Sequence, residues 1–391
     1  MRINPRTCFS FSCALLAPII GIVALAGLPK AAIAADPITL SIIDTGGDLA
    51  SVQVIIENYK KANPDKVKEI KIQRAPAPEL PAKIKAQQDA GRLDINLVLT
   101  GQDGGSLLAQ NKQIIQIPDY QKSFPRDLLT EAGKALYDEG GGYLIPSVGN
   151  AGGPVFIYNP AKVPNPPKTA DELLAWVKAN PGKFMYARPA NSGPGRSILQ
   201  GMSFILGDSK PLDPEKGWDK NWAFLKELGK YVEYYPTGTA VTLKEFAQGQ
   251  RWMIAGIMEW DMKPRAQSVI PPDSKIAILN GTTFVVDGHY WCIPTGVPKE
   301  QVDIILDLMK FMWKPEQQVL TWPAFIGPVV KSATVASAPK EIQDQVKEFW
   351  RPEYDEVGSK WKVSSPLGVK ELSYAMDRWD REIGADQVKK Q

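Results

Sequence analysis

The sequence predicts an α/β protein of two units, each a mostly parallel sheet flanked by helices, with a ligand cleft between them. Three observations carry this. Short apolar runs of strand length alternate with stretches whose apolar residues recur at helical spacing. Glycine-rich turns, Thr45-Gly46-Gly47-Asp48 and Thr100-Gly101-Gln102-Asp103-Gly104-Gly105, lead from strand into helix. The alternation then begins again beyond a stretch stiffened by Pro160, Pro164, Pro166 and Pro167. Strand–helix–strand series of this kind build parallel sheets covered on both faces.

In order, residues 38–43 read as a strand, and Leu49, Val52, Ile56 and Tyr59 as one helix face that ends at Asn63-Pro64. Residues 69–73 alternate like a second strand. A helix through Leu80 and Ile84 stops near Gly91, and residues 93–99 form a third strand. Residues 143–146 and 155–158 are strands around a glycine-rich segment, 149–153. Thr169-Ala170-Asp171-Glu172 is a capping box, so a helix starts there. The second series has a strand at 184–187, a helix through Ile198, Met202 and Ile205, and helices at 218–235 and 243–248. A strand at 252–257 then ends in Met258-Glu259-Trp260-Asp261. Residues 283–286 and 290–293 read as strands and 302–313 as an amphipathic helix. Proline fixes φ and restrains the residue before it. The segment 143–167 is therefore expected to cross between the units and set the angle of entry into the second. A further crossing is expected at 283–295.

The N-terminus reads as a secretory signal peptide. Arg2 and Arg6 precede an apolar run over 15–28, and Ala32-Ile33-Ala34 is a small-x-small cleavage site. The run is too short to span a bilayer. Cys8 and Cys13 lie before it, so no lipid anchor is expected and the mature chain is placed in the periplasm. Three of the 46 Lys and Arg lie in residues 1–34, with no Asp or Glu, so the remainder balances 43 basic against 43 acidic residues. A neutral chain without basic blocks argues against nucleic acid and anionic membranes as partners. Cys292 is the one cysteine left, so a large core must replace disulfides.

Enzyme motifs are absent. The single histidine, His289, excludes HExxH and histidine-rich metal sites, and there is no GxSxG, no phosphate-binding loop and no CxxC. Neither a metal nor a cofactor is expected. Glu259 and Asp261, two apart at a strand end, are the one carboxylate pair that a lyase or hydrolase could use.

Several stretches, taken in order, resemble the extracellular solute-binding proteins of family 1 type, the periplasmic receptors of ABC importers. "DINLVLTGQDG" is similar to that family's strand and turn at the cleft. "PSVGNAGGPVFIYNPAKVPNPPKTADELLAW" resembles its first crossover, "FAQGQRWMIAGI" a helix-Gly-strand step, and "DGHYWCIPTGVPKEQVDIILDLMKFMWKPEQQ" its second crossover strand and the helix after it. The resemblance implies the two-domain periplasmic-binding-protein fold: residues 35–150 plus 283–330 as one domain, 151–282 plus 331–391 as the other. It also implies hinge closure over a small solute, delivery to permease subunits in the inner membrane, and action as a monomer. The motifs depart from better-known subfamilies at 191–197 and 258–261.

Ligands of open parallel sheets bind at the carboxyl ends of strands. The expected ligand-binding residues are therefore Gly47, Asp48, Gln102 and Asp103 from the first unit and Asn150 and Tyr158 from the crossover. Ser192, Gly193, Arg196, Glu259, Trp260 and Asp261 come from the second unit, and Trp291 from the return strand. Carboxylates beside indoles favour an organic cation or polyamine. A sugar or polyol is the next reading, and an anion or metal chelate at Ser192, Gly193 and Arg196 the third.

Overall fold

The computed structural model describes residues 36–385. The signal peptide and its cleavage site fall outside the described residues.

Ten strands form two sheets: β1 Ile38–Asp44, β2 Val67–Arg74, β3 Leu97–Gly101, β4 Ile145–Gly153, β5 Val155–Tyr158, β6 Phe184–Met185, β7 Met253–Gly256, β8 Lys275–Ala277, β9 Thr283–Cys292 and β10 Lys362–Ser364. The first sheet runs β10-β9-β3-β1-β2, with β4 also paired to β9; the second runs β6-β7-β5-β8. Both are mixed. The pairs β1–β2, β1–β3, β6–β7 and β9–β10 are parallel, as the strand–helix alternation predicts. Every pair that β4 or β5 makes is antiparallel, and so is β3–β9. β5 arrives from the first sheet and β9 from the second, so each enters against the local direction.

Burial follows from this layout. All five residues of β3 are buried, as a central strand covered on both faces requires. Side chains of β5 to β7 alternate between two cores. Phe156, Tyr158, Phe184, Met253 and Ala255 pack with Trp218, Trp222 and Trp379. Val155, Ile157, Met185 and Ile254 pack with Phe246, Phe284, Phe325 and Tyr354. The helix Ala170–Ala179 starts where the capping box placed it: Thr169 accepts from the Glu172 N–H at 3.1 Å, and Glu172 reaches back to the Lys168 N–H at 2.7 Å.

Some boundaries differ from the sequence reading. The strands expected at 283–286 and 290–293 are one strand, Thr283–Cys292, because Asp287, Gly288 and His289 stay paired to β4. The helix expected over 218–235 stops at Gly229. The proline run 160–167 follows β5, whose end lies away from the crossing; the chain changes sheets at 153–155, between β4 and β5. The C-terminal part contributes to both sheets' surroundings: Lys362–Ser364 pairs with β9, while Leu372, Met376 and Trp379 join the core beside the second sheet.

Gly152, at the crossing, has φ +72°, and a Cβ there would lie 1.9 Å from the Val285 carbonyl oxygen. A left-handed conformation alone costs an ordinary residue about 1–2 kcal/mol. Gly152→Ala should therefore lower stability by more than that figure; urea unfolding of the variant beside the parent measures it.

Candidate functional site

A cavity of about 350 Å³ opens between the two sheets. From the first come Gly46 and Gly47, in the turn after β1, and Ser51 in the first turn of the helix Leu49–Ala62. From the second come Gly193 and Pro194 at the start of the helix Gly193–Ile205, Trp260 after β7, and Lys263. Asp287 and His289 of the connecting strand β9 complete the wall. A neighbouring space of about 480 Å³, lined by Asp44, Arg74 and Asn191, shares Gly47 and Ala50 with it. A larger open depression around Tyr120 and Gly142 holds none of the expected site residues.

Of those residues, the cavity gathers Gly47, Gly193 and Trp260. Several others lie just behind its wall. Asp48 is fully buried; its Oδ2 accepts from Ser147 Oγ and Trp291 Nε1, both at 2.8 Å, and its Oδ1 is 3.4 Å from His289 Nδ1. Arg196, in the first turn of its helix, bridges Asp103 at 2.7 Å and Asp287 at 3.2 Å. Burial raises the Asp103 carboxyl despite the Arg196 charge. Ser192 caps that same helix: its Oγ accepts from the Gly195 N–H at 3.0 Å. Gly193 has to be glycine, since a Cβ would lie 2.5 Å from Asp287 Oδ2. Gln102 is buried and donates to Glu139.

Four expectations do not hold as drawn. Tyr158 is at the wrong end of β5: it pairs with Met253, the first residue of β7, whereas Val155 pairs with Gly256 next to the cavity. Trp291 is buried in the first sheet opposite Leu99, because β9 runs against β3 and so brings His289, not Trp291, to the end of that strand. Asp261 has no exposed surface. Arg351 holds its Oδ2 through Nε at 2.8 Å, Arg265 Nε is also 2.8 Å away, and Tyr354 donates to its Oδ1 at 3.2 Å. Glu259 points away from the cavity too, accepting from the Gly327 N–H at 3.0 Å and from Asn150 Nδ2 at 3.4 Å. Asn150 also donates to the Met258 carbonyl at 2.8 Å, so it holds this turn in place. Glu259 adopts φ +67°, which turns the chain so that Trp260 faces the cavity and its flanking carboxylates do not.

Sequence reading missed Asp287, His289, Lys263 and Ser51. His289 was legible as the chain's only histidine, two residues from Trp291; the strand's direction was the missing information.

Burial pushes Glu259 up to about 7, against the pull of Asn150 and Gly327, and pushes Glu139 to about 7 likewise. In the unfolded chain such groups ionise near 4.5. Between these values the unfolded state loses its proton first, so stability falls as pH rises, by up to about 1.4 kcal/mol per pH unit for each group. Glu259→Gln should lose less stability than the parent between pH 5 and pH 8, as urea unfolding at the two pH values reads directly.

The chain matches the family model described as "Bacterial extracellular solute-binding protein" over residues 54–348. No curated protein sequence matches it. Solved structures of the same fold include a putative spermidine/putrescine ABC transporter from Listeria monocytogenes (17% identity, TM-score 0.61, covering 88% of this chain and 98% of that one). Another is the binding protein MotA from A. tumefaciens B6 in complex with glucopine (16%, 0.61, 88% and 99%). A third is the periplasmic binding protein AfuA from Actinobacillus pleuropneumoniae with fructose-6-phosphate bound (12%, 0.62, 88% and 98%). This chain therefore belongs to the bacterial extracellular solute-binding proteins, whose members bind a solute and are not enzymes.

Proposed function

We propose that this protein is the periplasmic receptor of an ABC importer, cleaved from its signal peptide and free of a lipid anchor. It takes a small polar solute into the cavity between its sheets, closes over it and hands it to permease subunits in the inner membrane. The observation that carries this reading is the cavity itself, about 350 Å³ and lined from both sheets and from the strand that links them. The domain division expected from the sequence goes with it: segments 35–150 plus 283–330 move against 151–282 plus 331–391, with the hinge at the β4–β5 and β8–β9 crossings and where β10 lies along β9. A solute that touches both sides stabilises the closed arrangement by its differential affinity.

The expected preference for an organic cation or polyamine rested on Glu259, Trp260 and Asp261 facing the solute. With both carboxylates engaged inside the protein and Asp287 paired with Arg196, the Trp260 indole is what remains for that role. The related fold carries solutes as different as those of the Listeria and Actinobacillus proteins, so we assign a small polar solute, with a sugar or polyol included.

Scattering tests the receptor reading. The mature protein should show a smaller radius of gyration with its solute and should release that solute unaltered; release of a changed molecule would refute it. Two substitutions separate the roles in the turn. Asp261→Asn should cost about 3–5 kcal/mol of stability, because it leaves Arg351 and Arg265 buried without their carboxylate, with affinity nearly unchanged in whatever fraction folds. Trp260→Ala should weaken solute binding by about 1 kcal/mol through the lost ring face, with a smaller effect on the apo melting temperature. Calorimetric titration and an apo melt of each variant check both.

A further inference from the structure

Asp48 has no exposed surface, and the two hydrogen bonds to its Oδ2 come from neutral donors, Ser147 and Trp291. A carboxylate buried among neutral groups is costly unless a cation compensates it. His289 is the cation available, with Nδ1 3.4 Å from Asp48 Oδ1. Its Nε2 has no hydrogen-bond partner among the described residues, and the ring lines the cavity.

We propose that His289 is a solute-contacting residue: an imidazolium held by Asp48 whose Nε2–H donates to a carboxylate or phosphate group of the solute, so that the cleft selects anionic solutes over polyamines. This rests on the cavity being the solute site. The surrounding carboxylates favour the charged ring. Asp44 at the end of β1, Asp287 on β9 and Asp103 behind it all lie near enough to act on the ring's charge, and the latter two share Arg196. Lys263 lines the same cavity with no ion-pair partner among the described residues, and Ser51 Oγ is a buried hydroxyl without a partner. A diamine carries an ammonium at each end, whereas Asp287, the carboxylate among the described lining residues, is already paired with Arg196, and Lys263 and His289 line the same wall. Burial pulls the imidazole down, but the Asp48 carboxylate 3.4 Å away, with Asp287 and Asp44, lifts it above its ordinary value. Affinity for an anionic solute is therefore present while the ring is charged and fades as pH rises past that point.

Since His289 is the chain's only histidine, untagged protein with labelled histidine gives a single imidazole resonance. It should titrate above about 6.5, and lower in Asp48→Asn. At pH 6, glutarate, inorganic phosphate and putrescine are then added separately. At least one anion should shift the resonance and raise the melting temperature, putrescine should do neither, and His289→Gln should weaken the active anion about tenfold. An imidazole that titrates at or below about 6.5, or stabilisation by putrescine alone, overturns the proposal and leaves the receptor reading standing. A charged imidazole with no stabilisation by either class also overturns the proposal; the receptor reading, which admits a sugar or polyol, then stands or falls on the scattering test.

Discussion

Strand β9 runs against β3 from Val98↔Cys292 to Gly101↔His289, and against β4 from Ile145↔Trp291 to Gly153↔Val285. This antiparallel seat decides which side chains meet the cavity. The turn after the parallel strand β1 reaches it at Gly46 and Gly47. In β9 it is the middle of the strand, at Asp287 and His289, while the carboxyl end carries Trp291 and Cys292 into the first core. Side chains alternate along a strand, so Asp287, His289 and Trp291 share a face. The last of them becomes the roof over Asp48, and the first two become wall. The fixed glycine at 152 belongs to the same constraint, since β4 leaves the sheet where its backbone presses on Val285 and Asp287.

The charges near the cavity are arranged to leave few carboxylates free. Asp261 takes Arg351, Arg265 and Tyr354; Asp103 and Asp287 share Arg196; Asp48 takes His289. Buried ion pairs of this kind contribute little net stability relative to well-packed apolar groups, but removing one partner is expensive. Their effect here is positional. Asp261 ties the turn after β7 to the C-terminal segment at Arg351, and the turn in turn presents Trp260. Arg196 ties the helix of the second sheet to the helix Gln102–Gln110 of the first. The cavity walls are thus held by groups that themselves have no need of solute.

Much of the fold was legible in the sequence because it follows from local pattern. The helical spacing of Leu49 to Tyr59, the capping box at Thr169 and the glycine turns each specify structure within a few residues, and all appear where expected. The turn positions also led to Gly47, Gly193 and Trp260, which line the cavity. What was not legible depends on partners distant in sequence. Nothing near Asp261 announces Arg351, 90 residues on, and nothing near Tyr158 says that β5 runs away from the cleft. Strand direction in particular needs to be known before a strand end can be equated with a site, and local pattern is silent on it. The missed helix Glu131–Gly140 is different: Thr130 caps it through the Gly133 N–H at 3.0 Å, a signal present in the sequence and passed over.

The same contacts bear on how the two sides part. Arg196 stands on the second sheet's helix, Asp103 on the first sheet's helix and Asp287 on the strand between them. Any motion that separates the two helices has to part Arg196 from Asp103, and any motion of β9 away from the second sheet has to part it from Asp287. Glycines allow the arrangement to be this tight: a Cβ at Gly101 would lie 2.7 Å from Asp103 Oδ1 and 3.1 Å from Arg196 NH2. Water entering an opened cleft would solvate the separated ions and offset most of the lost attraction, so the pairing need not lock the cleft. Under the proposed hinge motion, opening would exchange these ion pairs for hydration, at a few polar contacts beside the cavity.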